Sequence, residues 1–424
     1  MKDTHLTHEE IEDLLDDDPE ARNRLLLHHL TVCPGCFAVA GYILDLHREG
    51  KLDDDFSITA IGLGKSRLEA PALRDQLHRH SFERQKALVA DTSRFKSWGL
   101  AELLCLQSEE EAAGDPKKAA EIAEIAVAVA LALGENEPAE KHWLHLLRAY
   151  AYAHLANARR AEGNLWAAED AFIVADSWWT PAFQDVGDVL GYEARFLAFK
   201  ASLRRDERRF EDALDLIEEA LEADAPSSLK VRILINKAKT YEEIGDLETA
   251  IEVLKEAESH AQEGDRDPRV LLCLAQNRLD YLSKAERYME AKLALADVEE
   301  IARELGTRLD RLRLRWTDAR ITRGLGNTEE AIASLQEVHE NLVAEGLLYD
   351  AALLALELAL VFTEIHQPSG TKEWVKAALP ILTSLSVGRE TLAAVSLLAK
   401  AVEEERLTVE LVSQALDVFR RVKQ

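Results

Sequence analysis

The sequence predicts an all-α protein: a small helical module at the amino end, a linker, and a long stack of helix pairs. Three observations carry this. Apolar residues recur at helical spacing almost throughout, and no convincing strand run interrupts them. A six-residue junction closing on a small residue returns about every 40 residues from position 114 onward. Near the front, "HHLTVCPGC" (28–36) brings together two of the chain's four cysteines, unlike anything else in the sequence.

The first module spans 1–47. "THEEIEDLLDD" places Ile11, Leu14 and Leu15 on one helical face, with Thr7 and Glu10 spaced as a capping box. A second helix, "EARNRLLLHHLTVC", runs into the cysteine pair, and a third, "CFAVAGYILDLHRE", leaves it. His29 and Cys33 lie one helical turn apart, so their side chains point the same way. The Pro34–Gly35 turn brings Cys36 back to the same point, which supplies three donors for a tetrahedral Zn2+ site. His5, His8 and His28 are the candidates for the fourth. A helical hairpin this small needs a staple, and a bound ion supplies one.

This stretch resembles the zinc-binding anti-sigma-factor domain of bacteria. "HLTHEEIEDLL" matches that family's opening and "HLTVCPGC" its second half, over about 45 residues. The resemblance implies His5, His29, Cys33 and Cys36 as the zinc ligands, with His8 and His28 off the pattern. It also implies a partner: such domains pack between the DNA-binding regions of an extracytoplasmic-function sigma factor. The acidic helix from Glu9 to Asp18 suits a basic surface of that kind. Four protein ligands leave no open coordination position, so the zinc is expected to be structural rather than catalytic.

Residues 48–67, "GKLDDDFSITAIGLGKSR" with its flanks, read as a polar linker. "GLGKS" (62–66) ends like a phosphate-binding loop, but Thr59 stands where that loop needs its first glycine, and no strand precedes it.

From 68 to 424 the sequence reads as an α-solenoid of about seven to eight helix pairs. The junctions are "GDPKKA" (114–119), "GNLWAA" (163–168), "RRFEDA" (208–213), "GDLETA" (245–250), "ERYMEA" (286–291) and "GNTEEA" (326–331). Steps of 40 continue to "HQPSGT" (366–371) and "RLTVEL" (406–411). Glycine with Asp or Asn ends one helix in a left-handed turn, and the alanine five residues on lets the next helix approach closely. A single pair cannot bury its own apolar face, so neighbours must stack. The junction "G[DN]xxxA" resembles that of the tetratricopeptide repeat, over roughly 100–424. The period exceeds that family's usual 34 and the "WxxLG" signature is missing, which implies longer helices. The final segment, "EERLTVELVSQALDVFRRVKQ", reads as an amphipathic cap.

Two stretches are candidate partner-binding features. "SWWTPAF" gathers Trp178, Trp179 and Phe183, which either anchor a peptide on a concave face or fill the core. "RLDRLRLRWTDAR" (308–320) carries Arg311, Arg313 and Arg315 as a basic stripe, which either pairs with neighbouring acidic helices or receives an acidic ligand. Cys105 and Cys273 stand alone inside helical patterns and are expected to be buried thiols. His142, His145 and His154 share one helix and read as packed or solvated residues.

The formal net charge of −27 repels phosphate backbones and anionic lipid, so no direct nucleic-acid or membrane contact is expected. No apolar run reaches bilayer length and no signal peptide opens the chain, which predicts a cytoplasmic protein. No catalytic constellation or nucleotide loop stands out. The expected function is therefore non-enzymatic: a regulatory protein whose zinc domain docks on a sigma factor or other basic partner while the solenoid binds a second protein or peptide. The alternative is a scaffold whose zinc is purely structural.

Overall fold

The structure is a computed structural model. It describes residues 55–423 except 113, 135–137, 187–190, 224, 264–267, 385–397, 399–400 and 402–407. Within that range, side chains are described except at 55–64, 138–142, 181, 183–186, 262–263, 268, 384 and 419–423. The expected zinc module, with His5, His29, Cys33 and Cys36, lies outside the described residues. Among the described residues there are 17 α-helices, one 3-10 turn and no strand. The chain divides into two compact units, one ending at Thr240 and the other beginning at Tyr241.

In the first unit the helices are α1 (Asp55–Leu77), α2 (Phe82–Asp91), α3 (Trp98–Glu111), α4 (Pro116–Ala132), α5 (Pro138–Ala161), α6 (Leu165–Val186), α7 (Glu193–Asp206) and α8 (Phe210–Glu222). Helix α9 (Ser227–Ile244) crosses the division. The second unit continues with α10 (Leu247–Glu263), α11 (Pro268–Lys284), α12 (Tyr288–Leu305), α13 (Arg308–Gly324), α14 (Thr328–Ala344), α15 (Leu348–Glu364), α16 (Pro368–Ser384) and α17 (Val409–Lys423). From α3 to α8 these form three pairs in chain order, and from α11 to α16 three more.

The repeat junctions share one backbone geometry. Gly163, Arg208, Gly245, Glu286, Gly326 and His366, each the first residue of its hexapeptide, all have φ between 58° and 96°. Each closes a Schellman motif. At the junction after α9, for example, Gly245 N–H bonds Glu242 O at 3.0 Å and Asp246 N–H bonds Tyr241 O at 2.9 Å. The same pair of bonds recurs at His366, where Gln367 N–H reaches Phe362 O at 2.8 Å. The sixth residue, in the first turn of the next helix, is then fully packed. Ala168, Ala213, Ala250, Ala291 and Ala331 are buried completely, and Thr371 nearly so. A larger side chain there would force the paired helices apart. At "GDPKKA" the turn is made differently: Asp115 caps α4 by accepting from Lys118 N–H at 3.0 Å, with Pro116 in the first turn. A further left-handed turn, at Gly346 (φ 73°), joins α14 to α15 and again precedes a fully buried alanine, Ala351. It joins the second helix of one pair to the first of the next, which the hexapeptide pattern does not include.

Helix α1 corrects the linker reading, because residues 55–67 are helical. Tertiary contacts outweigh the cost of Gly62 and Gly64, about 1 kcal/mol each in a helix interior. Ser66 Oγ accepts from Gly99 N–H at 2.8 Å, and Arg67 forks Glu102 at 2.5 and 2.6 Å. Glu102 also accepts from the Tyr192 hydroxyl, which in turn accepts from Trp98 Nε1 at 3.3 Å. Burial first, and the Glu102 charge second, hold the Tyr192 pKa well above the ordinary phenol value.

The core of the first unit is built on Leu100, Leu104, Leu146, Leu147, Phe172 and Phe196. Cys105 is buried in it, as its helical pattern implies. His154 is buried there too, edge-on to Tyr150 and Phe199. His145 packs on Trp178 at 4.7 Å, and the His142 side chain lies outside the described residues. In the second unit, Leu335, Val338, Leu354, Leu358 and Val375 make a separate core, onto which α17 docks through Val412 and Leu416. That docking agrees with the amphipathic cap read from the last segment.

Candidate functional site

In the second unit, α11, α13 and α15 are the first helices of three successive pairs, and one groove opens along them. Its volume is about 390 Å³. Helix α11 contributes Cys273, Gln276, Asn277 and Asp280; helix α13 contributes Arg313, Trp316, Thr317 and Arg320; helix α15 contributes Asp350.

The floor is a charge network. Arg320 donates through Nε to Glu357 Oε1 and through Nη2 to Oε2, both at 2.6 Å, and through Nη1 to Asp280 at 3.0 Å. Trp316 Nε1 donates to the same carboxylate at 3.0 Å, and the Arg320 guanidinium lies 4.9 Å from the indole centroid. Burial works against the Arg320 charge, but Glu357 and Asp280 more than offset it, so its pKa is raised. Lys284 adds ion pairs of 2.8 Å to Asp280 and 2.7 Å to Glu242.

The mouth is held by the start of α13. Asp310 and Thr307 form a reciprocal capping box, with Asp310 N–H to Thr307 Oγ1 at 3.2 Å and Thr307 N–H to Asp310 at 2.8 Å. Arg269 pairs with Asp310 at 2.7 Å, and Gln276 Nε2 donates to the Asp310 carbonyl at 3.1 Å. Burial alone would raise the Asp310 pKa; the bonds from Arg269 and Thr307 prevail and lower it.

Arg313 stands apart. Its side chain is exposed in the groove, and among the described residues its guanidinium has no ion pair. A second hollow of about 420 Å³ shares Arg320 and is bounded by Arg323, Ser413 and Leu416.

The structure separates the residues that sequence reading had grouped. Of Arg311, Arg313 and Arg315, only Arg313 lines the groove. Arg311 donates to the Gly306 carbonyl at 2.6 Å, and Arg315 pairs with Glu337 at 2.6 Å. Trp178 and Trp179 do not form a concave anchor. Trp179 is buried and stacks on Phe196 at 4.6 Å, while Trp178 packs between His145 and Arg148. They fill the space around the long α5–α6 pair. The Phe183 side chain lies outside the described residues. Cys273, expected to be buried, is exposed, because its position on α11 faces the groove and not the neighbouring helices.

Gln276, Asn277 and Trp316 were not singled out by sequence reading, yet the repeat itself carried the signal. Cys273 and Arg313, Gln276 and Trp316, Asp280 and Arg320, and Asp310 and Asp350 are all 40 residues apart. One groove position, stepped by the repeat period, finds its counterpart on the next helix.

The fold defines a helical-repeat protein. Residues 231–259 match the tetratricopeptide repeat family, so the chain carries at least one such repeat. No curated protein matches the sequence. Among solved structures, a Rap protein complexed with Competence and Sporulation Factor aligns at a TM-score of 0.52 and 15% identity, covering 89% of this chain and 98% of that one. Aspartyl phosphate phosphatase F from Bacillus subtilis aligns at 0.50 and 13% identity, covering 91% and 96%. These likenesses establish the helical-repeat fold. No helix among the described residues is long and apolar enough to cross a membrane.

Proposed function

We propose that this chain is a non-enzymatic scaffold that binds a protein or peptide partner, and that the α11–α13–α15 groove receives an extended segment of it. The observation that carries this is Arg313. The other arginines of the groove already have carboxylates, whereas Arg313 is exposed with none. Asn277, Gln276 and Thr317 line the same groove with hydrogen-bonding groups suited to a peptide backbone. One structural neighbour was solved complexed with a factor, which supports the same use of the fold here. The test is affinity capture from the native host with wild type, Arg313→Glu and Asn277→Ala. A partner recovered with wild type and lost with Arg313→Glu supports the reading; identical recovery with all three overturns it.

A second reading rests on the His29-x3-Cys33-x2-Cys36 pattern with His5. Two thiolates and two imidazoles suit tetrahedral zinc. In this reading the amino-terminal module is stapled by zinc and docks on a sigma factor or another basic partner. Metal analysis of the full chain tests it. One zinc per chain, lost in Cys33→Ser with Cys36→Ser, supports the module; none removes it. Copurification of a sigma factor that depends on those cysteines separates docking from a purely structural role.

A further inference from the structure

Trp166 is the most exposed large apolar residue among those described, at 87%, and Ile173, two turns further along α6, is 59% exposed. The repeat register shows that packing does not require either. Trp166 lies three residues after the left-handed Gly163. The equivalent positions hold Glu211, Glu248, Met289, Glu329 and Ser369, all exposed. Ile173 lies ten residues after Gly163, where the other repeats place Glu218, Lys255, Ala296, Gln336 and Lys376. The fold accepts charge at both places, yet α6 presents an indole and an isoleucine to solvent, about 10 Å apart along the helix.

The same edge of the first unit is strongly acidic. Helix α8 turns Glu211, Asp212, Asp215, Glu218, Glu219 and Glu222 outward. Asp212 pairs with Arg209 and Glu218 with Lys237, but the other four have no ion pair among the described residues. A chain of ion pairs ties this helix to the turn beside Trp166. Arg204 joins Glu169 at 2.7 Å to Glu207 at 2.8 Å, and Arg209 joins Glu207 at 3.5 Å to Asp212 at 2.6 Å. Asp170, exposed between Trp166 and Ile173, adds a further carboxylate.

We infer that the α6–α8 edge is a second docking surface, distinct from the groove, and that its occupant is a basic amphipathic helix of a partner protein. Apolar side chains of that helix cover Trp166 and Ile173. Its lysines or arginines meet Asp170 and the unpaired carboxylates of α8. An acidic or wholly polar segment fails one half of this requirement. The net charge of −27 steers a basic partner toward the chain.

The test uses the full chain and a fluorescein-labelled, 18-residue amphipathic Leu/Lys peptide, with a scrambled peptide of the same composition and a Leu/Glu peptide as controls. Anisotropy titration should show binding of the amphipathic Leu/Lys peptide, weaker binding of the scrambled one, and none of the Leu/Glu peptide. Trp166→Glu should weaken binding roughly tenfold or more, as loss of an aromatic anchor does, although it adds negative charge. The triple variant Asp215→Asn, Glu219→Gln, Glu222→Gln should weaken binding and flatten its salt dependence. Met289→Glu and Arg313→Glu should leave it unchanged, so failure of the groove reading and failure of this one are distinguishable. Because other repeats carry Glu at the Trp166 position, that variant keeps its fold, and circular dichroism checks this. Equal or tighter binding by Trp166→Glu, or equal binding of the scrambled peptide, reduces the effect to bulk charge and overturns the inference. Self-association of the wild type that Trp166→Glu abolishes, seen by sedimentation velocity, identifies a second copy as the occupant and overturns it as well.

Discussion

Arg320 on α13 grips Glu357 on α15 with two parallel 2.6 Å hydrogen bonds, joining consecutive repeats beneath the groove. The Glu357 side chain is 5% exposed and that of Arg320 19%. Removing one partner leaves the other charge buried with too few counter-charges. Glu357→Ala should therefore cost about 3 kcal/mol. Replacing both, as Arg320→Met with Glu357→Leu, should cost much less than the two single changes summed. A double-mutant cycle by urea denaturation measures the coupling, and additive single effects would contradict the account.

Non-glycine residues at left-handed positions predict gains in stability. Glu286 (φ 58°) and His366 (φ 58°) hold a conformation in which an L side chain costs about 1 kcal/mol or more. Glu286→Gly and His366→Gly should each raise stability by roughly 0.5–1 kcal/mol, after the extra freedom of glycine in the unfolded chain is subtracted. Gly245→Ala should lose about 1 kcal/mol, although an added methyl group at that position meets no neighbour, because its φ is 96°. Thermal denaturation of the three variants checks the sign of each.

Close approach at the start of α3 makes a different prediction. A side chain on Gly99 would overlap the Ser66 carbonyl and the Arg67 backbone of α1. Gly99→Ala must displace α1 and loosen the Arg67–Glu102 fork, at a cost of about 1–3 kcal/mol. Faster proteolysis of α1 in the variant should accompany the loss, and unchanged cleavage would show that α1 moves without detaching.

His154 makes the first unit sensitive to acid. Burial first, then the Arg195 charge, hold its pKa well below 6.5, against an opposing hydrogen bond with the Cys105 backbone. Unfolded, the imidazole takes a proton near pH 6.5; folded, it does so only at lower pH. Its contribution to stability is therefore complete above about 6.5 and declines as pH falls from there toward the folded pKa. The slope is at most about 1.4 kcal/mol per pH unit. His339 and His78, whose values are also lowered by burial, add slopes of the same sign. His154→Phe should lose less stability than wild type between pH 7.5 and 5.5, and parallel losses would show that His154 does not control the slope.

The amino-acid order alone carried the all-helical class, the junctions and their spacing. Left-handed turns and close-packed alanines are local requirements, so they leave a local record, and "GDLETA" or "GNTEEA" states it directly. Once the period is known, even the groove can be traced by stepping from Asp280 to Arg320. What no local pattern held was the direction each side chain faces once the helices stack. Trp179 was drawn into the core by Phe196, while Trp166 was left in water; Arg315 was taken by Glu337, while Arg313 was left open. Residues 55–67 became helix because Gly99 and Glu102, more than 30 positions away, offered Ser66 and Arg67 partners. Those outcomes depend on neighbours distant in the chain, and packing, unlike helix periodicity, is settled only when those neighbours meet.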